Sequence, residues 1–463
     1  MGTTECILFI GGILKTIWLI GESTLLTHVA DRVKERGLEV AGVISSHPQV
    51  KTWADNNAIA CLHPNEVINW SEKKPGSHLA ISNKSFYGLF SISNPYRLNE
   101  EFLQHFEYAW NFHNGGRKRR GFHSTFWAVL ECDEQQALLH GESIIIHQMD
   151  QGVDSGPIAV ERKVEIRPQD TTLYYEMRCY EAAIVAFEEL IDQIRTVNIV
   201  AQHQDSLGGN YYKHSRPSGF LGFEKSKIDR LVKACDFGGR SNGVIAPKLK
   251  IGAHLYLVKH IQFIEGGNKK IGSLVSWDED VIRIAIDGGA VEYGKFIDLE
   301  AGHKISIKDL RIKHQLQKGS MFVALNDAQD EALSGFISQV AKREDYWVEA
   351  LTPSIIKSFD FLPQQSSSSF GVDRLGELDL NYFADRCSTQ MPSLQFDVIF
   401  IAILQIFFYR INNYFPSMIR LLVGKNQKLD QYQDLLQDNK GLISQFLPLS
   451  TGDFNPEMSI MDA

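Results

Sequence analysis

Over roughly its first 200 residues the chain alternates short apolar or β-branched runs with stretches of helical periodicity, the pattern that most restricts its possible folds. It predicts a parallel α/β sheet. Ile17 to Gly21 reads as a buried strand and Ser23 to Arg36 as the helix behind it, closed by Gly37. Further strands are expected at Glu39–Ser45, Leu79–Ser82, Tyr87–Ser93, Tyr108–His113 and Ile144–Met149, with helices near Val50–Asn56 and Asn99–Phe106. Leu173, Met177, Tyr180, Ile184, Phe187, Ile191 and Ile194 recur at steps of three and four, which predicts an amphipathic helix over Leu173–Ile194 that packs on the sheet through this stripe. The opening apolar stretch, Ile7 to Ile20, is broken by Lys15 and reads as strand material.

The remainder of the 463 residues changes character twice. Gln204 to Gly222 lacks periodicity and reads as a linker lying across a surface, followed by a helix at Lys225–Cys235. Leu255–Val258, Ile261–Ile264, Gly272–Val275, Val281–Ile286 and Ala290–Tyr293 are short strands separated by Gly-Gly and Asp-Gly turns, as in a small antiparallel barrel. From about Lys318 the pattern is helical again, with a Gln-Ser tract at Gln364–Ser369 as a surface loop or linker. The apolar run Val398–Tyr409 is shorter than the roughly 20 residues that span a bilayer and reads as a buried helix. The expected division is therefore 1–203, 204–317 and 318–463.

A formal net charge of −9 lacks the basic field of a nucleic-acid binder and disfavours a tRNA partner. Cys6, Cys61, Cys132, Cys179, Cys235 and Cys387 show no ligand spacing, so neither a metal site nor a disulfide framework is expected, and a reducing cytoplasm suits them.

The segment that carries chemistry is Trp110-Asn111-Phe112-His113-Asn114, at the end of a predicted strand, where open α/β sheets bind ligands. Side chains alternate along a strand, so Asn111 and His113 share one face. The loop Asp150-Gln151-Gly152-Val153-Asp154-Ser155-Gly156-Pro157 follows a later strand and can bring Asp154 beside that pair. Acyl transfer to an amine needs an oxyanion donor, a proton shuttle and an acid that tunes the shuttle, and Asn, His and Asp supply one each. From spacing alone the same residues also suit strand-end and turn roles. His140 and His147, near Asp150, read as structural, and Arg117–Arg120 reads either as a solvated loop or as an attractor of anions.

Asn111-Phe112-His113, then Arg120-Gly121, then His147 to Ile158 with its Asp154-Ser155-Gly156 triplet together resemble the formyltransferase family of methionyl-tRNA and glycinamide ribonucleotide formyltransferases. Leu89–Asn94, Trp127–Leu130 and Cys179–Ala183 are similar to formyltransferase-like domains of nonribosomal peptide synthetase and related natural-product proteins. The resemblance implies a Rossmann-like domain with a parallel-rich sheet. It further implies that Asn111, His113 and Asp154 are catalytic and that 10-formyltetrahydrofolate donates the formyl group, without a metal. Asn94, Leu98, Asp150 and Gly152 are the expected folate contacts. Asn111 and a protonated His113 would hold the formyl oxygen, with Asp154 keeping His113 cationic. The acceptor would be an amine on a small molecule or an aminoacyl group on a carrier protein. Methionyl-tRNA formylation and a catalytically inactive docking module are the alternatives.

Leu231–Gly238 resembles the start of the family's OB-like C-terminal domain, and Lys342–Trp347 with the apolar helix at 396–411 is similar to the front of a condensation-type domain. Two features depart from these patterns. Gly115–Arg119 replaces the usual Ser-Leu-Leu-Pro or Pro-Leu-Pro element with a shorter basic loop, and the His-His dipeptide of condensation domains is absent.

Overall fold

The computed structural model describes residues 15–68, 86–132, 142–150, 152–196, 198–204, 210–211, 215–240, 242, 244–267, 269–301, 303–340, 418–422, 433–440 and 446–450. The strand expected at Leu79–Ser82, His140, Cys6, Cys387 and the apolar run Val398–Tyr409 lie outside them.

The first strands and helices follow the alternating pattern: β1 (Thr16–Ile20), α1 (Leu25–Glu35), β2 (Glu39–Ile44), α2 (Pro48–Asn56), β3 (Cys61–Leu62), α3 (Asn65–Ile68), β4 (Phe86–Ser91), α4 (Glu100–Leu103) and β5 (Phe106–His113). After β5 come β6 (Arg119–Arg120), α5 (Ser124–Leu130), β7 (Glu142–Gln148), β8 (Ile158–Val164) and α6 (Thr172–Arg195). The seven-stranded sheet runs β3-β2-β1-β4-β5-β7-β8. Pairing is parallel from β3 to β5, while β7 and β8 return antiparallel. The sheet is thus mixed at one side. β8 and α5 are elements the sequence pattern did not mark.

Both faces are covered, which is why the strands read as nearly continuous apolar runs. One face holds a core of Trp18, Ile20, Ile44, Phe86, Leu89, Leu98, Phe102, Phe106 and Ala109. On the other, Phe90 and Phe112 meet Phe187 of α6 with ring centroids 5.3 and 6.4 Å apart. The Thr171 side chain caps α6 by accepting from Tyr174 N–H. The buried stripe of α6 is Tyr175, Cys179, Ala183, Ala186, Phe187, Leu190, Ile191 and Ile194, whereas Met177 is exposed. Two overlapping stripes satisfy the same spacing. The one with small residues lets the helix axis approach the sheet closely, and it is the one buried.

Beyond α6 follow the short strand β9 (Asn210–Tyr211), which pairs with β6 in parallel, and α7 (Lys225–Ala234). A second, six-stranded sheet comprises β10 (Lys248–Ile251), β11 (His254–Glu265), β12 (Leu274–Trp277), β13 (Val281–Ile286), β14 (Gly289–Asp298) and β15 (His303–Lys304), in the order β10-β11-β14-β13-β12 with β15 on β14. β11 is continuous where two strands were expected, because Lys259 and His260 interrupt the apolar run without breaking backbone pairing.

Two compact units divide the chain, the first spanning residues 1–249, 258–295 and 307–342. It includes α8 (Ile307–His314) and α9 (Asp327–Val340). The second unit, residues 250–257, 296–306 and 343–463, includes the antiparallel pair of β16 (Met418–Leu422) and β17 (Phe446–Ser450), and α10 (Gln433–Gln437). Among the described residues no helix is long and apolar enough to cross a membrane.

Candidate active site

Strand register builds the site before any loop is considered. Ser91 of β4 sits opposite Asn111 of β5, and Asn111 sits opposite His147 of β7, so a polar row crosses three neighbouring strands. This row continues the sheet face lined by Leu89 and Ala109. Ser91 Oγ donates to Asn111 Oδ1 (2.8 Å), which leaves the amide nitrogen as donor to the rest of the site. Asn111 Nδ2 lies 3.2 Å from Asp154 Oδ1 and 3.2 Å from His147 Nε2.

Asp154 arrives from the loop after β7 with φ of +50°, a left-handed conformation that Asp tolerates better than most residues. Tight chain geometry holds it there. A Cβ on Gly156 would stand 1.9 Å from the Gln148 carbonyl, and Gln204 Nε2 donates to the carbonyls of Asp154 (3.0 Å) and Gly156 (2.8 Å). Gln204, the first residue of the stretch expected to be a linker, therefore clamps the site, and just before it Gln202 pairs with Ile158 at the start of β8. The Asp154 carboxylate faces His113 Nδ1 at 3.5 Å and His147 Nε2 at 3.3 Å, and accepts the Gly121 N–H at 2.8 Å.

His113 is 6% exposed. Its Nε2 meets the Arg119 carbonyl, an atom that only accepts, so the proton of the neutral ring sits on Nε2 and Nδ1 is left bare toward Asp154. The basic loop makes this contact feasible. Gly116, at φ +56°, lies so close to β7 that a Cβ would be 2.4 Å from Ser143 Oγ. Arg119 is buried and held by Glu142 (2.6 Å) and Glu131 (3.0 Å), Arg117 pairs with Glu161 (2.9 Å), and Lys118 lies 3.8 Å from Glu142. These three charges of the run fasten the loop to neighbouring acids instead of standing free for anions.

Burial pushes the His113 pKa below its ordinary value, outweighing the pull of the Asp154 carboxylate and the Arg119 carbonyl in the other direction. Burial thus favours the neutral form of the unliganded ring, against the cationic form expected from its pairing with Asp154. Burial alone would raise Asp154, but the neighbouring His113 and His147 rings and the Gly121 N–H bring it from 3.8 down to about 2. Both groups are therefore depressed in the folded state. Each contributes stability above its unfolded pKa, near 6.5 for His113 and 3.8 for Asp154, and loses that contribution as pH falls through its folded value. Asp154 alone accounts for on the order of 2 kcal/mol. A carbon-13 NMR titration is expected to place the Asp154 carboxyl midpoint near 2 and the His113 midpoint below 6.5; a His113 midpoint above 6.5 would mean that the carboxylate outweighs burial.

The expected folate contacts fall in different places. Asn94 builds its own turn, donating to Ser91 Oγ and the Tyr96 carbonyl at 3.2 Å and accepting from Tyr96 N–H at 2.9 Å. It thereby touches the polar row through Ser91. Leu98 is buried in the core under that row. Asp150 accepts from Gly152 N–H (2.9 Å) and Ser155 Oγ (2.9 Å), so it shapes the loop that carries Asp154, and Gly152 lies exposed in the same turn. His147, read from sequence as structural, stands within hydrogen-bonding distance of both Asn111 and Asp154. Its strand is buried along most of its length, so no alternation in the sequence distinguished it.

No family model matches the chain. Methionyl-tRNA formyltransferase of Nitrosomonas europaea is 24% identical over 195 residues, 41% of this chain and 59% of that protein, so the match spans about three fifths of the relative's length. Among solved structures, the N-formyltransferase of Helicobacter canadensis, in complex with folinic acid and dTDP-3-aminofucose, is 13% identical with a TM-score of 0.43, covering 61% of this chain and 99% of that one. HypX of Aquifex aeolicus in complex with tetrahydrofolic acid is 13% identical with a TM-score of 0.43, covering 67% of this chain and 50% of that one. By its sequence similarity to methionyl-tRNA formyltransferase over those 195 residues, the chain is a relative of the formyltransferases.

Proposed function

We propose that the chain transfers the formyl group of 10-formyltetrahydrofolate to the amine of a small-molecule or carrier-bound acceptor. The observation that carries this reading is the convergence of Asn111 and His113, both on β5, with the Asp154 carboxylate brought in by the loop after β7. The donor supplies a formyl group activated by its nitrogen. As the amine attacks, Asn111 donates an N–H to the oxygen on which charge gathers. His113 receives the amine proton on its bare Nδ1 and becomes an imidazolium held between the Asp154 carboxylate and the Arg119 carbonyl. The same ring returns the proton to the departing nitrogen. A neutral resting histidine suits this order, because a ring already cationic could not take the proton.

The exposed apolar side chains of Phe122 and Val153 adjoin Gly121 and Asp154 in the chain and offer a surface for the pterin or for an apolar acceptor. The motifs shared with natural-product formyltransferase-like domains support an acceptor from such a pathway, and the second sheet is read as the OB-like element of that architecture. The region after residue 318 is read as the condensation-like piece, without the dipeptide its chemistry requires. A net charge of −9 weighs against charged tRNA as acceptor.

The test is calorimetric titration with 5-formyltetrahydrofolate, then incubation with 10-formyltetrahydrofolate and panels of amino sugars, amino acids and carrier-bound aminoacyl groups, read by mass spectrometry. Binding with formylation of a small or carrier-bound amine supports the reading. Formylation of methionyl-tRNA alone favours the other acceptor, and failure to bind the folate leaves a docking module.

A further inference from the structure

Both N–H bonds of Asn111 are spent inside the protein, one on Asp154 Oδ1 and one on His147 Nε2, each at 3.2 Å. Its carbonyl is filled by Ser91 Oγ at 2.8 Å. For Asn111 to donate to a formyl oxygen, one internal partner must let go, and His147 decides which. Its Nδ1 lies 2.9 Å from the Gln148 carbonyl, which only accepts, so the ring's proton sits on Nδ1 and Nε2 is a bare acceptor. A hydrogen bond to a neutral imidazole is weaker than one to a carboxylate, by roughly half. His147 is 3% exposed, so solvent offers its Nε2 little competition.

We propose that His147 is the positioning residue of the site: its Nδ1–H tautomer orients the Asn111 carboxamide and is the partner that yields an N–H to the formyl oxygen. The proposal rests on the formyl-transfer reading and names the residue that sets its oxyanion donor. The titratable groups facing His147 are Asp154, from the loop after β7, and His113, from β5, while Ile158 of β8 stands opposite it. A second proton on His147 would remove the acceptor from Asn111 and turn the 3.3 Å approach to Asp154 Oδ1 into an ion pair.

Nitrogen-15 NMR of histidine-labelled protein, without ligand and at neutral pH, tests the tautomer directly. A protonated Nδ1 and a bare Nε2 on His147 are expected; an Nε2–H tautomer or an imidazolium overturns the proposal. This measurement needs neither turnover nor a variant, so it stands apart from the fate of the formyl-transfer reading. With the acceptor found in the screen above, His147→Leu is expected to lower kcat about tenfold to a hundredfold at nearly unchanged KM. His147→Gln, which keeps an acceptor oxygen, restores most of that rate. Equal losses in the two variants, or a loss confined to KM, overturn the role.

Discussion

Asp154→Asn is expected to abolish formyl transfer, lowering the rate by at least a hundredfold to a thousandfold, while the protein stays folded. The carboxylate is the common partner of four groups: the Asn111 amide at 3.2 Å, His147 Nε2 at 3.3 Å, the Gly121 N–H at 2.8 Å and His113 Nδ1 at 3.5 Å. An amide keeps one acceptor oxygen, so its NH2 must face either the Asn111 N–H or the Gly121 N–H, both of which donate. It also removes the negative charge that would stabilise His113 after the proton transfer, which is the step the reaction cannot do without. The backbone should survive, because Asn adopts the left-handed φ of +50° at least as readily as Asp. Circular dichroism and thermal unfolding check the fold and single-turnover kinetics check the chemistry. Turnover at the wild-type rate would refute the role.

Gly115→Ala is expected to destabilise the chain by about 1–3 kcal/mol and to lower turnover by about a hundredfold, though residue 115 touches no substrate in the proposed mechanism. The obstacle is space and not backbone conformation. A Cβ at residue 115 would stand 2.0 Å from the Arg119 carbonyl, 2.6 Å from His113 Nε2 and 2.6 Å from Ser124 Cβ. The carbonyl cannot simply swing aside, since the Arg119 side chain is pinned by Glu142 at 2.6 Å and Glu131 at 3.0 Å. The His113 ring then moves, and a shift of an ångström in a proton acceptor is enough to lose the reaction. Urea unfolding and kcat measured on the same variant check both parts. Wild-type values for both would show that the loop gives way without disturbing the ring.

The shorter loop after His113 acquires its meaning from this geometry. A family-like Ser-Leu-Leu-Pro element is missing, and in its place two glycines let the chain fold back far enough for a carbonyl to hold the histidine. Arg117, Lys118 and Arg119 of the basic run pair with Glu161, Glu142 and Glu131 and so help anchor that fold.

Much of the first sheet was legible because its strands are short, β-branched and separated by helices of the right length, so local periodicity and topology agree. The parity of β5 likewise placed Asn111 and His113 on one face, and the glycines after β7 marked a loop able to return Asp154. The antiparallel pair β7 and β8 was not fully legible, since Ile158–Val164 mixes Glu, Arg and Lys into an edge strand with one wet face. Nor was α5, a seven-residue helix entered through left-handed His123 without a side-chain cap. The chain's local sequence, then, determined which residue types stand at the strand ends and in the loop. Tertiary structure alone decided that Ser91, Asn111 and His147 form one row, that Gln204 clamps the Asp154 loop, and that burial lowers the His113 pKa. Strand neighbours come from different parts of the chain, and the desolvation that sets a histidine's charge is a property of everything packed around it, not of its sequence neighbours.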